Sequence, residues 1–311
     1  MTILTVTLHP AIDKVLRTSR LVADGICRTK IILVYGGGKG NNAARALVRM
    51  GMPVIATGFQ GGSNGIQLTE FLQAEGIQTE FIECKAQTRV STLIQEVETG
   101  HTYAIYEPGQ IVDHLEINDL LDKYLSLIER ASICLLCGTG QSEALANVYS
   151  QMIEIGKKYN VRCLLDSSGL ALANSIVVRP HLLKVNISEL SDYFGRELIS
   201  RKDQIDAIRK IQATGIEIVA LSCGKDGMVA TDGKEVWEAK LSVPNVTNVV
   251  GCGDSLLAGL ARAICGNASL CELVRWGVAC GAANTQVNGA GFITMELVNS
   301  LIPKVETYQI V

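Results

Sequence analysis

The segment Asn248-Val-Val-Gly-Cys-Gly-Asp-Ser255 carries the strongest chemical signal in the chain. Apolar Leu256, Leu257, Leu260, Ala261 and Ile264 follow it at helical spacing, so Gly251, Cys252 and Gly253 fall at a helix N-terminus. Unspent backbone N–H groups and the positive end of the helix dipole attract an anion there. Glycine on both sides removes the Cβ atoms that would hold a phosphate away. Asp254 stands beside that anion site, where a carboxylate can take the proton of a substrate hydroxyl. Spacing alone also allows Asp254 a helix-capping role.

Cys252 has two readings. A helix N-terminus lowers a thiol's pKa, which predicts a reachable thiolate that nucleotide would cover; packing behind the turn predicts an inert one. A second glycine-rich turn, Tyr35-Gly-Gly-Gly-Lys-Gly-Asn-Asn-Ala-Ala-Arg45, also opens a helix. It is not a Walker loop, because Gly40 and Asn41 follow Lys39 where Ser or Thr is required. It does not complete a dinucleotide fingerprint either, since Asn41 takes the third glycine's place. A lysine and two asparagines on such a turn suit a polyhydroxylated or phosphorylated small molecule, and a plain strand-to-helix turn fits the same residues.

The elements that must position these turns alternate between strand-like and helix-like, the pattern of βαβ units and a mainly parallel sheet. A helix at about 41–50 stops at Gly51-Met-Pro53. Ile117, Leu120, Leu121, Tyr124, Leu125 and Ile128 mark one helical stripe, and Ile205, Ile208 and Ile211 another. Residues 161–165 and 216–221 read as short buried strands. Two stretches, about 14–35 and 88–106, break the rhythm and read as hairpin material, the second turning at Thr99-Gly100. The expectation is one α/β domain over 1–311 with these stretches as a small inserted β lid, which covers a site or pairs with a second subunit.

Composition narrows the function classes. The 311 residues are 48% hydrophobic and 19% charged, ample for a packed core. A net charge of −3 lacks the basic footprint of nucleic-acid binding. The opening Met1-Thr-Ile-Leu-Thr-Val-Thr-Leu8 reads as a first strand rather than a signal peptide. The uncharged run 276–295 holds too many polar residues for lipid, so no membrane partner is expected. Ten cysteines without a secretory signal predict a reducing cytoplasm. Cys134 and Cys137 stand three apart in a strand-like run, so their thiols point to opposite faces and form no metal pair. The four histidines show no ligand spacing.

Taken together and in order, these segments resemble the ribokinase-like carbohydrate kinases of the phosphofructokinase-B branch, above all the 1-phosphofructokinase and tagatose-6-phosphate kinase group. The resemblance covers the whole chain and implies a three-layer, mainly parallel sheet flanked by helices. Thr7-Leu-His-Pro-Ala-Ile-Asp13 is similar to that group's opening, which implies that Asp13 holds sugar hydroxyls. Gly37 to Arg45 resembles the first family signature, with Gly38, Lys39 and Asn42 on the sugar side. Thr88-Arg89 matches a pair whose arginine meets the substrate's existing phosphate. Lys184 to Leu190 resembles the Asn-x-x-Glu segment, implying nucleotide contact at Asn186 and a Mg²⁺ ion held through water by Glu189. Ser222 to Gly227 resembles the strand and turn at the ATP phosphates, through Ser222, Gly224 and Gly227. Asn284 falls where the adenine pocket closes.

The resemblance thus implies ATP and Mg²⁺ as cofactors, a phosphosugar as acceptor, Asp254 as general base and Gly251, Cys252 and Gly253 as the anion hole. Fructose 1-phosphate, fructose 6-phosphate and tagatose 6-phosphate are the candidate acceptors, and a homodimer through the lid is expected. Three departures stand out: Cys252 replaces the usual alanine, Ala104 offers no second basic residue on the lid, and Cys137-Gly-Thr-Gly-Gln-Ser142 replaces a proline-rich turn around Thr139. A kinase of an unphosphorylated sugar or nucleoside, and a non-catalytic sugar-phosphate sensor, remain open alternatives.

Overall fold

Short runs of apolar, often β-branched residues make strands that bury both faces, which only a sheet covered by helices on each side can satisfy. The computed structural model describes residues 1–139, 142–244 and 246–310 and has this form. The strands run β1 (Ile3–Thr7), β2 (Ala11–Thr18), β3 (Lys30–Gly37), β4 (Val54–Gln60), β5 (Gln78–Thr79), β6 (Ile82–Glu83), β7 (Arg89–Glu96) and β8 (Thr102–Tyr106). They continue with β9 (Ile133–Cys137), β10 (Arg162–Asp166), β11 (Leu182–Asn186), β12 (Ile218–Ser222), β13 (Met228–Thr231), β14 (Val236–Lys240) and β15 (Glu306–Gln309). The helices are α1 (Lys39–Arg49), α2 (Gly62–Ala74), α3 (His114–Ile128), α4 (Val148–Lys158), α5 (Gly169–Val177), α6 (Ile187–Phe194), α7 (Arg201–Gln212), α8 (Cys252–Cys265), α9 (Leu270–Asn284) and α10 (Met295–Leu301).

Most of the strands form one sheet in the order β15-β14-β13-β12-β11-β10-β9-β1-β4-β5, with β6 also on β4. The stretch from β12 to β4 is parallel, and β13 to β15 close one side antiparallel. Residues 3–7 of β1 pair with 54–58 on one side and 133–137 on the other. From β1 the chain first moves outward through β4 and then returns to β9 on the opposite side. This places a topological switch point beside the carboxyl end of β1, where open α/β sheets bind ligands.

The core has two layers, one on each sheet face. Leu47 of α1, Leu68 of α2, Leu257 of α8, Val274 of α9 and Val298 of α10 pack on one face. Leu120 of α3, Met152 of α4, Leu172 of α5, Leu190 of α6 and Ile208 of α7 pack on the other. Cys134 lies in the second layer and Cys137 in the first, as two positions three apart in a strand must. In the α3 stripe Leu125 departs from expectation: it is 41% exposed, while Leu120, Tyr124 and Ile128 are buried. The apolar face there is narrower than the run of leucines suggests.

A second, four-stranded sheet has the order β3-β2-β7-β8. Strands β2 and β7 are parallel at its centre, and β7 turns into β8 through Gly100, whose φ of 71° suits glycine. Asp13 on β2 pairs with Tyr35 on β3 and Ser91 on β7. Among the described residues no helix is long and apolar enough to cross a membrane.

Candidate active site

Two helices begin at the carboxyl edge of the main sheet, and glycine shapes both starts. Gly251 caps α8 with φ 83°, and a Cβ there would overlap Ala290, so the turn admits glycine on both counts. No side chain caps this helix, and its first helical bond within the turn runs from the Ser255 N–H to the Gly251 carbonyl. The N–H groups of Cys252, Gly253 and Asp254 therefore have no intrahelical acceptor and point outward, as at any helix start. A Cβ on Gly253 would come 3.0 Å from Lys184 Nζ, which fixes that ammonium over the first turn.

Asp254 does not cap the helix. Its Oδ2 accepts a 2.8 Å hydrogen bond from Asn42 Nδ2, and the residue is only 8% exposed. Burial, and then the charge of Asp166, push its carboxyl up to about 6 against the pull of Lys39, Asn42 and Lys184. Strand β10 ends at Asp166, whose two oxygens accept from Lys39 Nζ at 3.0 Å and Lys184 Nζ at 2.7 Å. Burial opposes ionisation of Asp166, but the two lysines outweigh it and hold its carboxyl low. Glu189 Oε1 lies 3.5 Å from the same Lys39 Nζ. Two ammonium groups and two carboxylates thus flank Asp254 and the start of α8.

On the other sheet Asp13 is buried against Gly37, where any Cβ would overlap its carboxylate. Burial raises its carboxyl to about 7, while Arg45, a hydrogen bond from the Tyr35 hydroxyl and Arg89 favour the ion. Arg89 Nη1 donates to the Glu107 carbonyl at 3.1 Å, and its Nε is enclosed without a partner. It faces a cavity of about 490 Å³ lined also by Asn64, Gln87, Thr88 and Glu107. His9 is buried with neither ring nitrogen partnered, and burial, then Arg89, lower it to about 4, so it is neutral.

The remaining expected residues divide. Asn186 and Glu189 form a capping box at α6: Asn186 Oδ1 accepts from the Glu189 N–H, and Glu189 Oε2 accepts from the Asn186 N–H, each at 2.9 Å. That leaves Glu189 Oε1 for Lys39. Ser222 Oγ donates to the Val185 carbonyl at 3.3 Å. Gly224 and Gly227 make the turn after β12 with φ 59° and 78°, and Gly224 has open space where a Cβ would be. Gly38, with φ 103°, precedes α1 and brings Lys39 to the sheet edge. Thr139 is half-buried just past β9, while Gly140 and Gln141 of the unusual loop lie outside the described residues.

Two positions depart from a direct ligand-contacting role. The Asn284 side chain is engaged inside the protein: it is fully buried, its amide donates to the Val250 carbonyl at 2.8 Å, and its oxygen accepts from Ser255 Oγ and the Gly291 N–H. It is a strut behind the α8 turn. Cys252 is not a low-pKa thiol, because burial, with the Asp254 charge, pushes it up to about 11 and overrides the helix dipole.

Sequence reasoning missed Tyr35, Arg45, Asp166, Lys184 and the state of His9. Two carried a signal: Asp166 closes the apolar run Cys163-Leu-Leu165, and Lys184 interrupts Leu182-Leu183 and Val185, so each is a charge in a buried strand.

A family model described as pfkB family carbohydrate kinase matches residues 8–296. The chain is 32% identical over 304 residues to the 1-phosphofructokinase of Bacillus subtilis (strain 168), covering 98% of each. It is 30% identical over 289 residues to the ATP-dependent 6-phosphofructokinase isozyme 2 of Escherichia coli (strain K12), covering 92% of this chain and 93% of that one. The crystal structure of phosphofructokinase-2 from Escherichia coli in complex with substrates and products superposes with a TM-score of 0.90 at 28% identity, over 97% of this chain and 99% of that one.

Proposed function

The chain belongs to the pfkB family of carbohydrate kinases, and on that premise we propose that it transfers the γ-phosphoryl group of ATP to a hydroxyl of a sugar that already carries a phosphate. The observation that carries this reading is the buried Asp254 set in the first turn of an uncapped, glycine-shaped helix at the sheet's switch point. Fructose 1-phosphate, fructose 6-phosphate and tagatose 6-phosphate are the acceptors in question. The relatives support a phosphosugar by their names, a 1-phosphofructokinase and a 6-phosphofructokinase.

In this reading Asp13, Asn42 and Gly38 hold the sugar, and Arg89 meets its phosphate, with Thr139 at the rim. Asp254 takes the proton of the attacking hydroxyl, worth about 10²–10⁴ in rate. The transferring phosphoryl spreads negative charge over its oxygens, so catalysis is positioning plus electrostatic stabilisation. The outward N–H groups of the turn Gly251 to Gly253 and of Asp254 supply the stabilisation, about 3 kcal/mol per donor by analogy with oxyanion holes. Lys39 and Lys184 add positive charge on the same side. Nucleotide phosphates lie along Asn186, Ser222, Gly224 and Gly227.

Among the described residues no cluster of three or more carboxylate, histidine or cysteine side chains could hold a metal by itself, and both oxygens of Asp166 accept from lysines, which suits Mg²⁺ only as an ion carried largely by waters and substrate phosphates. Glu189 would hold it through water, and the ion would neutralise phosphate charge. The four-stranded sheet is the lid, closing over the sugar to exclude water. Its edge strand β8 is exposed throughout, with Tyr103 and Ile105 on one face and Tyr106 on the other, which supports a homodimer through the lid. Ten free cysteines support a reducing cytoplasm.

The test is a set of initial rates with MgATP and each of the three phosphosugars, alongside fructose. One phosphosugar should exceed fructose by at least tenfold in kcat/KM, the share a charged phosphate contact contributes. Fructose or a nucleoside as the better acceptor would replace this reading.

A further inference from the structure

Arg45 lies on α1, is fully buried, and touches neither nucleotide nor sugar in the reading above. A guanidinium presents five N–H donors, and here each has an acceptor. Nε and Nη2 donate to the two oxygens of Glu75, Nη2 also donates to the Gly36 carbonyl at 2.5 Å, and Nη1 donates to Asn42 Oδ1 at 3.2 Å and the Ala290 carbonyl at 3.0 Å. Its Cζ lies 4.9 Å from the ring centroid of Tyr35 and 4.6 Å from that of Phe292. A buried charge this fully engaged is held in one geometry.

The contact with Asn42 has a chemical consequence. Arginine only donates, so the Asn42 oxygen must face it, and the Asn42 amide nitrogen is then the group turned to Asp254. Without that contact the Asn42 oxygen is left buried with no donor, and the amide loses one of the two partners that fix its plane against Asp254. The contact with Ala290 fixes the loop that packs directly behind Gly251, and the Tyr35 hydroxyl accepts from the Ala290 N–H of the same loop. One side chain thereby joins the sugar-side turn, the candidate base and the wall of the anion hole.

We propose that Arg45 is a positioning residue for phosphoryl transfer, acting through the Asn42 amide that holds Asp254. This rests on Asp254 being the base. Lysine at this place keeps the charge but cannot span the five acceptors.

The experiment measures kcat, both KM values and melting temperature for Arg45→Lys, Asn42→Ala, their double variant, and Ile208→Ala. The last empties core space on α7, in the opposite layer, and serves as a destabilised protein with an intact site. Arg45→Lys should lower kcat at least tenfold with KM for ATP within threefold, whereas Ile208→Ala should keep kcat. The double variant should match Asn42→Ala within threefold, because both changes break one chain of contacts. Should Arg45→Lys not fold, Arg45→Gln takes its place, since it buries no charge and leaves Glu75, 17% exposed, to water. An Arg45 variant with the kcat of Ile208→Ala, or a double variant whose losses multiply, overturns the proposal. Activity retained in Asp254→Asn would instead overturn the base on which it rests.

Discussion

Asp254→Asn should lower kcat by two to four orders of magnitude and leave ATP affinity within a few-fold. The amide keeps the size of the side chain and still accepts the Asn42 hydrogen bond, but it takes no proton, and general base catalysis contributes about 10²–10⁴ in rate. The loss cannot be assigned to unfolding. The carboxyl of Asp254 is raised to about 6 in the folded protein from an ordinary 3.8. Its ionised form therefore opposes folding above pH 6, and that cost is gone below the ordinary value. At pH 8 the variant should melt no lower than the parent. In the parent, kcat/KM should fall as pH drops through the range from about 7 to about 6, where Asp13 and Asp254 take up protons. Residual kcat above a tenth of the parent value would remove Asp254 from the mechanism.

Arg89→Ala should raise KM for the phosphosugar about 10- to 150-fold, the equivalent of about 1.5–3 kcal/mol for a charged hydrogen bond to phosphate, with KM for ATP unchanged. Arg89 forms no ion pair among the described residues, and only one backbone carbonyl takes a hydrogen bond from it. Its charge is thus available to a ligand anion in the adjoining cavity. Equal KM values for the sugar in the two proteins would mean that the phosphate end lies elsewhere.

Much of this arrangement was legible from local pattern. The α8 turn was visible because Gly251 and Gly253 precede a clear helical stripe, and the opposite faces of Cys134 and Cys137 follow from strand alternation alone. What stayed hidden depends on contacts between distant residues. Arg45 meets Ala290 across 245 positions of sequence, and Asn284 reaches back to Val250, so neither role leaves a local trace. The two readings of Cys252 could not be separated in sequence, because a helix start is visible there and the desolvation of the thiol is not. Glu189 shows the mixed case: the capping box is a local motif, while the second oxygen turned toward Lys39 is a product of the fold.

The most direct test of phosphoryl transfer to a phosphosugar is a phosphorus NMR spectrum of protein, MgATP and the best phosphosugar acceptor, followed to completion. The account predicts that the γ-phosphate resonance of ATP is lost in step with the appearance of ADP and a second phosphomonoester resonance on the same sugar, with little free phosphate. ATP that stays intact with every phosphosugar, or that yields only inorganic phosphate, would contradict it.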